Sequence, residues 1–94
     1  MGKFNDIIKG ETPTLVDFHA TWCGPCKVFA PTFNQVAAET PGIQFETVDV
    51  DSGHQSIMEN GIRNVPTTVV VEANGTIRKQ SGNMSADALK AFIG

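Results

Sequence analysis

The 94-residue chain predicts an α/β fold, a central mixed four-stranded sheet flanked by helices. Three observations carry that expectation. Strand-like apolar runs alternate with segments of helical period, a pattern that implies parallel pairing through right-handed crossovers. One strand pair is instead joined through Asn74-Gly75, the dipeptide of a two-residue hairpin turn, which adds an antiparallel edge. The composition, 40% hydrophobic and 18% charged, is that of an ordinary packed domain, expected to span residues 1–94.

The elements follow in order. Phe4, Ile7 and Ile8 mark one face of a short first helix ending near Gly10. Thr14-Leu15-Val16-Asp17-Phe18 is a compact apolar run, read as a buried strand that carries one carboxylate. After two closely spaced cysteines, Phe29, Phe33, Val36 and Ala37 recur at helical spacing until Pro41-Gly42, a breaker pair. Ile43 to Asp51 alternates as a strand does. A brief helix around Ser56 to Asn60 closes at Gly61. Val65 to Val71 is β-branched and gives the strongest strand, and Thr76 to Gln80 returns beside it. Ser85 caps a last helix, with Asp87 in its first turn, Met84 stapled against Leu89, and Leu89, Phe92 and Ile93 on the buried face.

The net charge of -3 offers no clustered basic surface for nucleic acid. No apolar run approaches the length of a membrane span. The polar start, Met1 to Asp6, carries no secretory leader, so a cytoplasmic location is expected; Asp6 also departs from the myristoylation pattern. Asn74-Gly75-Thr76 and Asn83-Met84-Ser85 match a glycosylation acceptor, but without a leader both read as chance.

Both cysteines stand in Thr21-Trp22-Cys23-Gly24-Pro25-Cys26-Lys27. A structural staple closing so small a ring stabilises by only roughly 2 kcal/mol. A structural zinc site needs four ligands, and only His19 and His54 remain to join the pair, without the usual spacing; His19 reads as a partly buried residue at a strand end and His54 as a solvated loop residue. A reactive dithiol explains more of the motif. Following a strand and opening a helix, Cys23 falls where backbone N–H groups lack partners and the helix dipole is positive. Both favour a thiolate, making Cys23 a better nucleophile at neutral pH than a free cysteine with a pKa of roughly 8.5. Pro25 costs nothing in a first helical turn, and Gly24 leaves room for an approaching disulfide. Cys26, one turn on, is placed to attack Cys23 and release a substrate from a mixed disulfide.

Trp22-Cys23-Gly24-Pro25-Cys26-Lys27 resembles the active-site motif of the thioredoxin family letter for letter, and the likeness runs through nearly the whole chain. Leu15-Val16-Asp17-Phe18 looks like the strand leading into that motif. Gly61-Ile62-Arg63-Asn64-Val65-Pro66-Thr67 resembles the segment whose proline is cis and faces the disulfide. Gly82 is similar to the glycine of the substrate groove, and Pro31 to the proline that kinks the active-site helix. The resemblance implies a thioredoxin-like fold and a thiol-disulfide oxidoreductase that reduces protein disulfides. It implies Cys23 as nucleophile, Cys26 as resolving thiol, and the two as a redox-active disulfide. Asp17, its pKa raised by burial, becomes the proton acceptor for Cys26. Trp22, Gly24, Pro25, Val65, Pro66 and Gly82 become the substrate surface, with Val65 backbone groups free for an extended peptide. Thioredoxin reductase and disulfide-containing proteins are the implied partners of a monomer that needs no metal or cofactor and binds neither nucleic acid nor membrane. Lys27 reads as a solvated cation.

Three departures accompany the likeness. Thr47 stands where the family commonly has a lysine near the buried aspartate, and His19 where it often has tryptophan. The chain also begins at the family's first helix, which predicts four strands with Ile43 to Val50 as an edge guarded by Glu46 and Asp49. The alternative reading is a non-catalytic thioredoxin-like module that binds a partner or zinc.

Overall fold

The computed structural model describes residues 4–7 and 12–94. Its sheet runs in the order β2-β1-β3-β4. β1 (Thr14–His19) pairs parallel with β2 (Gln44–Asp49) and antiparallel with β3 (Thr67–Val71). β4 (Ile77–Ser81) closes the far side antiparallel to β3. The parallel pair is joined through α1 (Gly24–Glu39), as the alternation of segments predicts. α2 (Ser56–Glu59) precedes β3, and α3 (Ala86–Ile93) follows β4.

Being internal, β1 and β3 bury both faces, which is why their sequences are near-continuous apolar runs. Leu15 and Val70 meet Phe29, Phe33 and Val36 of α1 and Leu89 of α3 on one face. Val16, Phe18, Val69 and Val71 pack with Val48 and Phe4 on the other. β2 is a sheet edge, as expected from the four-strand reading. Pro31 sits inside α1, and the helix continues through it to Glu39.

α3 begins as its sequence dictates. The Ser85 hydroxyl accepts from the Ala88 N–H at 3.1 Å, satisfying one of the donors that a helix start leaves unpaired. Met84 and Leu89 belong to one apolar cluster, the staple that the sequence suggests. Ser85→Ala is expected to cost about 1 kcal/mol, read as a lower urea midpoint with an unchanged slope.

Three expectations need correction. The strand expected over Ile43 to Asp51 ends at Asp49, and Val50–Ser52 form a 3-10 turn. The first helix is only a 3-10 turn over Phe4–Asp6; Ile8 and Gly10 lie outside the described residues. The hairpin does not turn on Asn74-Gly75 alone. Glu72 N–H donates to the Thr76 carbonyl at 2.8 Å, which leaves a three-residue loop of Ala73, Asn74 and Gly75. Gly75 takes φ +91°, and Asn74 Oδ1 accepts from the Thr76 N–H at 3.0 Å. Register explains the extra residue. It sets Val71 opposite Ile77 and Val70 opposite Arg78, whereas a one-residue slip would exchange the faces of β4. In the observed register Arg78 reaches α3, stacking 5.1 Å over the Phe92 ring and donating to its carbonyl at 2.6 Å.

Candidate active site

Cys23 is the N-cap of α1. Its backbone is extended, and its Sγ accepts from the Cys26 N–H at 3.1 Å. The cap position follows from the local sequence: Gly24 and Pro25 lead the first turn, where proline's missing N–H costs no bond. Cys23 and Cys26 are joined as a disulfide, with Cα atoms 5.2 Å apart. Both are buried, while Trp22, Gly24 and Pro25 beside them are exposed. The Cys23 sulfur therefore lies at a helix mouth, where an N–H donor and the dipole both favour negative charge.

The loop before β3 reaches the same point. The Val65–Pro66 peptide is cis, as the family resemblance implies, and the Val65 carbonyl oxygen lies 3.7 Å from Cys23 Sγ. Gly82, at φ +94°, donates its N–H to the Pro66 carbonyl at 2.8 Å. Hence the segments around Cys23, Val65-Pro66 and Gly82 gather on one side of the sheet's end, though they are far apart in sequence. Trp22 is 68% exposed, and its indole N–H donates to Asp51 Oδ2 at 2.8 Å. A shallow cavity of about 380 Å³ lies among Trp22, Val50, Ile62, Arg63, Asn64 and Val65.

Asp17 belongs to β1, the strand that leads into the cysteine motif. Only 3% exposed, it projects from central β1 between Thr47 of β2 and Thr68 of β3, its cross-strand partners. Its Oδ1 and the Thr68 hydroxyl are both buried without a hydrogen-bond partner among the described residues. Burial pushes the Asp17 carboxyl up from 3.8 to about 6, against a smaller downward pull from His19. Asp17 and Cys26 both line a cavity of about 400 Å³, which has room for water. Thr47, expected opposite the buried aspartate, is there; its exposed side chain places no charge beside the carboxyl.

Two residues have roles that the sequence reading missed. Asp51 holds the Trp22 indole, and only its place in the acidic Asp49-Val50-Asp51 run hinted at it. His54 is not simply solvated: its Nδ1 lies 2.6 Å from Ser56 Oγ and accepts from the Ser56 N–H at 3.2 Å, tying down the start of α2. Lys27 is exposed, as expected. Among the described residues, no group of three or more His, Cys, Asp and Glu is placed to hold a metal ion. None of the helices there is long and apolar enough to cross a membrane.

Comparison with known proteins agrees with this geometry. The chain is 36% identical over 89 residues to thioredoxin C-2 of Corynebacterium nephridii, covering 94% of this chain and 82% of that one. It is 35% identical over 88 residues to the mitochondrial thioredoxin of Bos taurus, covering 93% of this chain and 53% of that protein. The chain thus spans about half the length of the mitochondrial relatives it matches. The solved thioredoxin of Malassezia sympodialis, Mala s 13, superposes with a TM-score of 0.81 at 34% identity, covering 99% of this chain and 88% of that one. The model of the Thioredoxin family matches residues 1–94, and with the helix-capping cysteine pair and its proline loop in place, the chain belongs to the thioredoxin family.

Proposed function

We propose that residues 1–94 form one thioredoxin-like domain that reduces disulfides in protein substrates by dithiol–disulfide exchange. The observation that carries this reading is the Cys23 sulfur at the start of α1, accepting the Cys26 N–H at 3.1 Å. In the reduced protein that position favours the Cys23 thiolate, the attacking species in exchange. Attack on a substrate disulfide forms the Cys23–substrate bond and expels one substrate thiol. Cys26 gives its proton to the Asp17 carboxylate across their shared cavity and attacks Cys23. The second substrate thiol leaves, and the protein is left with the Cys23–Cys26 disulfide. Two electrons have passed from the protein to the substrate.

Trp22, Gly24, Pro25, Val65, Pro66 and Gly82 form the surface that receives the substrate. The exposed indole and the shallow cavity beside it supply apolar contact, and the Val65 carbonyl beside Cys23 suits an extended segment pairing through its main chain. A thioredoxin reductase returns the disulfide to the dithiol. The domain acts as a monomer in the cytoplasm, a setting that keeps such a pair in turnover.

Insulin reduction by dithiothreitol tests the reading. The protein is expected to accelerate precipitation of the insulin B chain well beyond dithiothreitol alone; a rate equal to that background would sink it. The reduction potential of the pair gives the direction of flow, expected near the roughly -270 mV of a reducing thioredoxin.

A further inference from the structure

Asp17 lies within a strand, yet one of its neighbours on that strand is ionisable. Side chains two apart on a strand share a face, so His19 stands on the same side of β1 as Asp17, with Cα atoms about 6.6 Å apart by the strand rise. Both line the cavity that also receives Cys26. His19 is half-buried at the end of β1, and Asp17 is almost wholly buried. Thr47 and Thr68, which flank Asp17 from the adjoining strands, carry no charge. The other charged groups near His19 are Asp49, its cross-strand partner on β2, and Lys27, which reaches the cavity from α1.

We propose that His19 is a positioning residue for the resolving step: its imidazolium is the counter-charge that holds Asp17 ionised and ready to take the Cys26 proton. This inference rests on the disulfide-reductase reading and adds to it the group that sets the acid limit of the reaction. A buried carboxylate with an orphaned oxygen is disfavoured by desolvation. Positive charge on His19 offsets part of that penalty, pulling the Asp17 carboxyl down against the larger effect of burial.

Two variants separate charge from packing. His19→Gln removes the imidazole and leaves Lys27, which also lines the cavity, in place. Asp17 is then expected to titrate about one pH unit higher, the scale of a unit charge lost at this spacing near a surface. Carboxyl carbon NMR reads that midpoint. Release of substrate from a preformed mixed disulfide at Cys23 should slow about tenfold on the acid limb of its pH profile, and keep its alkaline plateau. His19→Lys restores a cation and should bring the Asp17 midpoint and the acid limb back to or below their wild-type positions. Equal shifts in both variants, or an Asp17 midpoint that moves in neither, would overturn the proposal. A rate that falls by one factor at every pH would do the same. The NMR measurement needs no turnover: an inactive wild type with a charge-dependent Asp17 midpoint would defeat the reductase reading while upholding the Asp17–His19 coupling.

Discussion

Cys26→Ser is expected to convert the protein from a turnover catalyst into a covalent trap. Cys23, still at the start of α1, retains the hydrogen bond from the backbone N–H of residue 26 and the helix dipole, since neither needs the second sulfur. It still opens a substrate disulfide. The resulting mixed disulfide then lacks its internal nucleophile. Intramolecular placement of a reacting group is equivalent to an effective concentration of up to about 10⁵ M or more, and a serine hydroxyl cannot take the place of that thiol at neutral pH. Insulin reduction should fall to the dithiothreitol background, and non-reducing electrophoresis should show one substrate chain attached per molecule of the variant. Cys23→Ser should be equally inactive but carry no adduct. An adduct on Cys23→Ser would reverse the assigned order of attack, and turnover by Cys26→Ser near the wild-type rate would remove Cys26 from the resolving step.

The second large effect is on stability. Asp17 binds its proton more tightly in the folded chain, at about 6, than in the unfolded chain, near 3.8. A raised acid leaves stability whole below the unfolded value and removes it as pH climbs through the folded one. The loss is therefore confined between roughly pH 4 and pH 6 to 7, and amounts to about 3 kcal/mol for a shift of this size. Asp17→Leu should escape it. In urea titrations of the oxidised forms, the variant should gain about 3 kcal/mol on wild type between pH 4 and pH 8, beyond whatever constant offset its packing introduces. Asp17→Asn, closer in shape, should show the same altered pH dependence. Parallel pH curves for wild type and both variants would show that the carboxyl is solvated in the folded chain. The same carboxylate that is proposed to accept the Cys26 proton is thus a cost to the fold at neutral pH, an arrangement common where a site needs a tuned acid.

Much of the molecule was legible from its residues because the signals are local. Cys23 as N-cap, Ser85 as N-cap, the stop of α1 before Pro41-Gly42 and the apolar period of Phe29, Phe33 and Val36 each depend on residues within a turn or two of one another. The anomaly of Asp17 was equally visible, because a carboxylate in an apolar run must be buried, paired or protonated. The cis bond at Pro66 was read from family resemblance; composition and spacing alone do not reveal it.

The sequence by itself determined the strands, the helices after the first, their order, and which sulfur occupies a helix start, since caps, breakers and hydrophobic period act over a few residues. Only the tertiary structure decided the three-residue hairpin, the Trp22–Asp51 and Gly82–Pro66 bonds, and the cavity in which Asp17, His19 and Cys26 meet. Strand register and the packing of α1 on β1 made those choices. Register settles which side chains share a face across strands, and packing settles how much water reaches them. Neither is set by a residue's neighbours in the chain, and the charge on Asp17 depends on both.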